Sequence, residues 1–284
     1  MNTKLQSKGH FHFIGIGGIG MSAIAIALIK KGYSVSGSDL IQNKETKSLK
    51  TLGAIIFDSQ IKKNIDFVIS KFQDHTINCV ISSAIKDENE ELCFCKKNNL
   101  SIKHRSEILA MIMNSYTSLS IAGSHGKTST STFLSTLLEL CTHDSSSITG
   151  GIIPIYDSNA HIENTKYLVT EIDESDGTIK NYNSDIGIIN NIDFDHCDHY
   201  SNIDEVLSSF KKFASIVLIT SYFVLRELML LKPLQFCNCK IDISCISYST
   251  LIDPFGRTWR PWKYSISQPL SKLSRQTIKF TQSV

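Results

Sequence analysis

Residues 122–129, AGSHGKTS, have the composition of a loop that binds phosphate groups. Backbone N–H groups of such a loop surround phosphate oxygens, Lys127 offsets the charge of the β and γ phosphates, and the Thr128 hydroxyl can ligate Mg²⁺. The common form of this loop has a glycine five residues before its Gly-Lys pair, where this chain has Ile121. The nearest upstream glycine is Gly123. The segment therefore predicts a shortened nucleotide-binding loop.

Acidic side chains follow two later apolar runs. The segment EIDESDG starts at Glu171, and the segment NNIDFDHCDHY starts at Asn190. Carboxylate oxygens suit Mg²⁺, and ligands of α/β proteins collect at the carboxyl ends of parallel strands. Most of these carboxylates can be solvated loop residues. Two such clusters at predicted strand ends nevertheless favour a site for a nucleotide with its metal ion.

A second glycine motif lies near the N-terminus, in the segment GIGGIGMS. Gly15, Gly17 and Gly20 have the G-x-G-x-x-G spacing of a dinucleotide-binding turn, and Asp39 ends the next predicted strand. The glycines of such a turn let the backbone approach a diphosphate at a helix N-terminus. The spacing fits NAD and a UDP-sugar equally, and a tight strand–helix turn without any ligand also needs small residues.

These motifs need strands and helices to position them. Apolar runs alternate with helical patterns along the first 217 residues, which predicts parallel βαβ units. Helices are predicted at residues 22–31, 88–99, 127–141 and 202–216, among others. We therefore expect an α/β fold with a Rossmann-like domain over residues 1–114 and the first part of a P-loop ATPase domain over residues 115–217. An irregular tail is expected over residues 218–284.

The composition is that of an ordinary globular protein, with 42% hydrophobic and 20% charged residues. No segment reaches the about 18 apolar residues that span a bilayer, and the N-terminus lacks the pattern of a cleavable signal. The formal charge of +2 gives no basis for a nucleic-acid partner. The eight cysteines are scattered without C-x-x-C spacing, which favours reduced thiols over zinc. We expect a cytoplasmic protein with neither a nucleic-acid nor a membrane partner.

The four motifs GIGGIGMS, GSHGKTST, EIDESDG and NNIDFDHCDHY together resemble those of the Mur ligase family. The resemblance runs from about residue 8 to residue 216, with the motifs in the family's order. It implies an ATP-dependent ligase with an N-terminal UDP-binding domain, a central ATPase domain and a C-terminal domain that completes the active site.

The resemblance also implies roles for individual residues. The ATP-binding loop comprises Gly123, Ser124, His125, Gly126, Lys127, Thr128 and Ser129. The magnesium shell comprises Thr128, Glu171 and His196, and the catalytic residues are Lys127 and Glu174. The UDP-sugar would contact Gly15, Gly17, Gly18, Ile19, Gly20, Asp39, Ser82, Ser83, Glu174 and Ser175. The implied cofactors are therefore ATP and Mg²⁺.

Within the family the motifs are most similar to those of the alanine-adding members, although a ligase that recycles muramyl tripeptide is a near neighbour. The implied partners are UDP-N-acetylmuramate and L-alanine. The lactyl carboxylate would attack the γ-phosphate of ATP to give an acyl phosphate, which the alanine amine then attacks. Lys127 and Mg²⁺ would stabilise the charge of the transferring phosphoryl group.

Residues 218–284 depart from the family pattern. They contain no histidine, and they carry nine basic residues against three acidic ones. The family would continue its ATPase domain here and then add a third domain with a D-x-Y-x-H-x-P-x-E segment, which this chain lacks. We therefore expect a poorly structured, non-family tail, as after a frameshift or truncation, without the C-terminal ligase domain. Little or no catalytic turnover is expected.

Two alternatives remain open from the sequence. The first is a module that binds UDP-N-acetylmuramate or ATP without joining anything. The second is an NAD-dependent oxidoreductase, which the first glycine motif would permit. The second phosphate loop and its acidic clusters count against the oxidoreductase, because hydride transfer needs neither.

Overall fold

The structure is a computed structural model of the 284-residue chain. It describes residues 9–142, 144–174, 177–194, 200–217 and 220–223. These residues all belong to the same compact unit. No helix in these ranges is long and apolar enough to cross a membrane. Except for residues 220–223, the predicted tail lies outside the described part of the chain.

The first sheet is fully parallel and has five strands in the order β3-β2-β1-β4-β5. Its strands are β1 Gly9–Ile14, β2 Ser34–Ser38, β3 Ile55–Phe57, β4 Thr76–Ile81 and β5 Ser101–His104. Its helices are α1 Ile19–Lys30, α2 Lys44–Thr51, α3 Lys62–Lys71, α4 Glu90–Lys97 and α5 Arg105–Met113. The strand order reverses between β1 and β4, and doubly wound sheets bind ligands at such a crevice.

The second sheet has six strands in the order β11-β10-β6-β9-β7-β8. Its strands are β6 Thr117–Ala122, β7 Ser145–Ile153, β8 Ser158–His161, β9 Tyr167–Glu171, β10 Ile186–Ile189 and β11 Thr220–Phe223. Its helices are α6 Lys127–Thr142 and α7 Ile203–Ile216, with a 3₁₀ turn at Thr178–Asn181. Only β7 and β8 pair antiparallel among these strands. Strand β11 lies within the segment that was expected to be irregular.

The α/β class with parallel sheets is thus confirmed, and the long helices agree closely with the sequence patterns. Helix α6 begins at Lys127 as predicted, and α7 begins one residue after Asn202. The Asn202 side chain accepts a hydrogen bond from the Glu205 N–H and so caps α7. Helix α1 begins at Ile19, three residues before the predicted start, because it includes Gly20, the last glycine of the first motif.

Helix α1 is buried on every side. All residues from Met21 to Leu28 are buried, since one face packs on the first sheet and the hairpin β7–β8 covers another. Asn159 of β8 fixes this contact, because its Nδ2 donates to the Ile19 carbonyl at 2.7 Å and to Ser22 Oγ at 2.9 Å. The two sheets therefore share a packed boundary that includes the first turn of α1.

A buried polar network supports the end of β2 in the first sheet. Glu91 of α4 is fully buried, and its carboxylate accepts hydrogen bonds from Ser38 Oγ at 2.5 Å and Asn64 Nδ2 at 2.6 Å. His10 of β1 is also buried and lies 2.7 Å from Ser36 Oγ. Burial, followed by the neighbouring imidazoles, lowers the pKa of His10 to about 3. His10 is therefore a neutral core residue at physiological pH.

Candidate active site

The short phosphate loop joins the end of the central strand β6 to the start of α6. Gly126 has a φ of +78°, a conformation that side chains strongly disfavour. The glycine is therefore needed for the turn that leads Lys127 into the first turn of the helix. An open cavity of about 450 Å³ lies beside this turn and is lined in part by Thr128 and Ser129.

Two asparagines that follow β10 hold the loop in shape. The Asn191 side chain accepts from the His125 N–H at 2.8 Å, and its Nδ2 donates to the His125 carbonyl at 3.0 Å. Asn190 Nδ2 donates to Thr130 Oγ1 at 3.0 Å. The Asp193 N–H donates to Ser124 Oγ at 2.9 Å. The segment NNID thus serves as a support for the phosphate loop, a role that its sequence did not indicate.

Lys127 is held between the loop and the acidic segment after β9. Its Nζ donates to the Gly123 carbonyl at 2.6 Å and to Glu174 Oε1 at 2.7 Å. Glu174 is only 1% exposed. Burial raises the pKa of this carboxyl group, whereas the charge and hydrogen bond of Lys127 oppose the rise. The structure therefore brings the two predicted catalytic residues into direct contact.

Thr128, in the first turn of α6, meets Glu171 at the end of β9, the strand that neighbours β6 in the sheet. Thr128 Oγ1 donates to Glu171 Oε2 at 3.0 Å. The other carboxylate oxygen, Oε1, accepts from the Gly150 N–H at 2.7 Å and from Ser131 Oγ at 2.8 Å. A Cβ on residue 150 would lie 2.9 Å from Glu171 Oε2, so any side chain there would displace this carboxylate oxygen.

The remaining predicted metal ligand, His196, lies outside the described residues, as does Ser175. Within the described part of the chain, no group of three or more His, Cys, Asp or Glu side chains is arranged to hold a metal ion. The pair of Thr128 and Glu171 nevertheless offers a hydroxyl and a carboxylate, which are the hard oxygen ligands that Mg²⁺ prefers. The donor set that is described therefore fits magnesium.

The first glycine loop lies at the crevice between β1 and β4. Its backbone is tied to the end of β2, because the Gly15 and Ile16 N–H groups donate to the Ser38 carbonyl at 2.8 and 3.0 Å. Asp39 Oδ2 accepts from the Gly17 N–H at 2.8 Å. Asp39 thus fixes the loop through its carboxylate.

The other predicted substrate residues surround the same crevice. Gly18, Ile19 and Gly20 form the turn into α1 and its first residues. Ser82 and Ser83 follow β4, and Ser83 Oγ lies 3.2 Å from His104 Nε2 at the end of β5. These residues come together where the strand order of the first sheet reverses.

Arg105 connects the first glycine loop with the acidic segment that follows β9. It was not identified from the sequence as a site residue. It is the first residue of α5, and it forms an ion pair with Asp173 of the acidic segment. Its Nη1 also lies 3.2 Å from the position that a Cβ on Gly20 would occupy. The guanidinium group therefore stands between the glycine loop of the first sheet and the acidic segment of the second.

Comparison with known proteins assigns the two sheets to one family. Two mostly parallel sheets, one with a glycine loop at its crevice and one with a phosphate loop, define a nucleotide-binding α/β protein. The model of the Mur ligase family, catalytic domain, matches residues 10–117, and the model of the Mur ligase middle domain matches residues 121–229. The chain belongs to the Mur ligase family.

The chain is also similar to individual members. A UDP-N-acetylmuramate–L-alanine ligase of Prochlorococcus marinus subsp. pastoris is 97% identical over 215 residues, which are 76% of this chain and 46% of that protein. The enzyme of the same name from Prochlorococcus marinus strain SARG is 49% identical over 212 residues, covering 75% of this chain and 44% of that protein. The chain thus spans a little under half the length of these relatives.

Solved structures agree with this assignment. The UDP-N-acetylmuramate–alanine ligase of Thermotoga maritima has a TM-score of 0.67 and 26% identity, covering 75% of this chain and 49% of that one. A UDP-N-acetylmuramate:L-alanyl-γ-D-glutamyl-meso-diaminopimelate ligase from Neisseria has a TM-score of 0.69 at 22% identity. The match covers 76% of this chain and 71% of that one. The second likeness concerns the fold alone.

Proposed function

We propose that this chain acts in the ATP-dependent joining of L-alanine to UDP-N-acetylmuramate, a step of peptidoglycan precursor synthesis. The observation that carries the proposal is the pairing of Lys127 with Glu174 and of Thr128 with Glu171 at the ends of two adjacent strands. The 97% identity to an alanine-adding ligase over the same region supports this choice of substrate. We propose the cytoplasm as the location, where ATP is available.

Each sheet has its own role in this proposal. The unit of residues 1–114 binds UDP-N-acetylmuramate, with the diphosphate at the glycine loop that Asp39 and Ser38 hold in place. The unit of residues 115–217 binds the ATP phosphates at residues 123–129. The support for the division is that each sheet ends in one loop suited to phosphate groups, at a helix N-terminus.

Thr128 and Glu171 would hold a magnesium ion, together with His196 from outside the described residues. A bound Mg²⁺ would neutralise charge on the phosphate oxygens during the transfer. Lys127 Nζ already contacts the Gly123 carbonyl of the loop. On nucleotide binding its ammonium group would leave Glu174 and contact phosphate oxygens. Glu174 would then be left facing the substrate carboxylate and the arriving amine.

The reaction has two steps in this proposal. A carboxylate oxygen of the lactyl group attacks the γ-phosphorus of ATP, the bond to the β-phosphate oxygen breaks, and ADP leaves. The alanine amine then attacks the carbonyl carbon of the acyl phosphate, inorganic phosphate leaves, and the amine loses a proton. Activation is necessary because a carboxylate is a poor acyl donor to an amine.

The test is ADP release by the purified full chain with ATP, Mg²⁺ and UDP-N-acetylmuramate, with and without L-alanine. Calorimetric titration with ATP and with UDP-N-acetylmuramate accompanies the assay. Alanine-dependent ADP release with formation of the alanyl product supports the ligase. Failure to bind either ligand would refute the proposal.

A second candidate function is binding of both ligands without ligation. It is favoured by one observation, namely that the matched region of the relatives ends after 215 residues although this chain continues. In that case both ligands bind with normal stoichiometry, and L-alanine adds nothing to the rate of ADP release. An NAD-dependent reaction has no support from the second phosphate loop, and titration with NAD serves as the corresponding control.

A further inference from the structure

Ser131 occupies an unusual position on α6, one turn after the threonine that faces the candidate metal site. Its side chain is fully buried, and its hydroxyl lies 2.8 Å from Glu171 Oε1. Two later hydroxyls of the same helix follow the ordinary local pattern. Ser135 Oγ donates to the Ser131 carbonyl at 2.7 Å, and Thr136 Oγ1 donates to the Thr132 carbonyl at 2.9 Å.

The Ser131 hydroxyl has two acceptors within reach but only one hydrogen. One acceptor is the Thr128 carbonyl at 3.0 Å, and the other is the nearer carboxylate of Glu171. A hydrogen bond to an ionised carboxylate is stronger than one to a neutral carbonyl. The hydrogen therefore points to Glu171, and Ser131 differs in this respect from Ser135 and Thr136.

The two oxygens of Glu171 have different surroundings as a result. Oε1 is held by the Ser131 hydroxyl and the Gly150 N–H, whereas Oε2 faces the Thr128 hydroxyl at 3.0 Å. One carboxylate oxygen is thus fixed by the protein, and the other is turned toward the candidate ligand group.

We propose that Ser131 is a positioning residue for the metal site: it fixes the Glu171 carboxylate so that Oε2 faces Thr128 and the magnesium of bound ATP. The inference rests on the proposed function, because it requires that Glu171 serve the metal. Groups that orient a metal ligand typically change metal affinity by about 10–100-fold when removed. In a variant without the Ser131 hydroxyl, the Gly150 N–H would still hold Oε1. We therefore expect the Mg²⁺ affinity to fall by roughly 10-fold, the lower end of this range.

The experiment is calorimetric titration of ATP into the full chain at a series of MgCl₂ concentrations and in EDTA. Ser131→Ala should raise the Mg²⁺ concentration for half-maximal tightening of ATP binding by roughly 10-fold. Its ATP affinity in EDTA and its UDP affinity should stay unchanged, because neither depends on Glu171. Ser131→Thr keeps the hydroxyl and should restore most of the Mg²⁺ response.

Ser135→Ala is the matched control, since it removes an equally buried hydroxyl of the same helix whose hydrogen bond goes to the Ser131 carbonyl. An unaltered Mg²⁺ response in Ser131→Ala, or an equal shift in Ser135→Ala, would overturn the role of Ser131. If the unaltered chain itself binds ATP without any Mg²⁺ dependence, the proposed metal site fails, and the role of Ser131 fails with it. Thermal melting of each variant shows whether it is folded.

Discussion

Replacing Lys127 by methionine should destabilise the folded chain, because it leaves Glu174 buried without its cation. Glu174 is 1% exposed, and the Lys127 side chain is 17% exposed. Removing one partner of a buried ion pair costs about 3–5 kcal/mol. Since water reaches part of Lys127, we expect the lower end, about 3 kcal/mol. For a chain of this size the melting temperature should fall by roughly 6–12 °C.

The loss of folding stability in Lys127→Met should depend on pH, because it leaves the buried Glu174 carboxyl group without its cation. Burial raises the pKa of Glu174, and Lys127 opposes that rise. Without Lys127 the folded-state pKa rises further, so the folded chain holds a proton that the unfolded chain has released. Stability then falls as pH increases through the folded-state pKa. Lys127→Met should therefore be less destabilised at about pH 5 than at about pH 8.

The assay is thermal unfolding of the full chain at both pH values without nucleotide. The double variant Lys127→Met, Glu174→Gln should recover most of the lost stability, because no charge remains to be buried. Lys103→Met is the control, since Lys103 pairs with Glu107 at 3.4 Å while both side chains are more than 40% exposed. It should cost no more than about 1 kcal/mol at either pH.

Two results would refute this reasoning. One is an equal loss of stability in Lys127→Met at the two pH values. The other is a double variant as unstable as the single one. Either result would mean that the stability of the folded chain does not depend on the contact between Lys127 and Glu174.

Three further predictions concern other parts of the structure. Gly150→Ala places a Cβ 2.9 Å from Glu171 Oε2, which must shift, and should weaken the Mg²⁺ dependence of ATP binding in calorimetry, while unchanged dependence would contradict the described contact. Asp39→Ala removes a hydrogen bond between a carboxylate and the glycine loop, which should cost about 1.5–3 kcal/mol in urea unfolding and weaken UDP binding; normal UDP affinity would count against a loop fixed by this residue. Phe210→Ala empties a site that is 1% exposed and should cost about 3–5 kcal/mol in urea unfolding, and a loss below about 1 kcal/mol would contradict its place in the core.

The local parts of this structure could be predicted from the sequence because short-range chemistry determines them. Glycines at fixed spacing indicate a turn into a helix, as at Gly126, and apolar periodicity locates the long helices α6 and α7. Helix α2 was not identified, because among its eight residues only Thr46 and Leu49 are buried. Such a short segment gives too few apolar positions for the helical period to be recognised.

The contacts that shape the candidate site could not be predicted, because they depend on strand order. Gly150 reaches Glu171 only because β7 pairs with β9, and Asn159 reaches Ile19 across 140 residues of sequence. Parallel strands are buried on both faces and read as continuous apolar runs, so the sequence of one strand does not show which strand lies next to it. Nothing in the sequence around Ser131 distinguishes it from an ordinary helical serine. Its acceptor on β9, Glu171, is evident only in the folded chain.

The burial of α1 on every side has a consequence for how the chain can be divided. The segment from Met21 to Leu28 is covered partly by strands β7 and β8, which lie much later in the sequence. A polypeptide that ended at residue 116 would expose an isoleucine- and alanine-rich helix face to water, and such a surface promotes self-association. We therefore expect the unit of folding and of soluble expression to include both sheets.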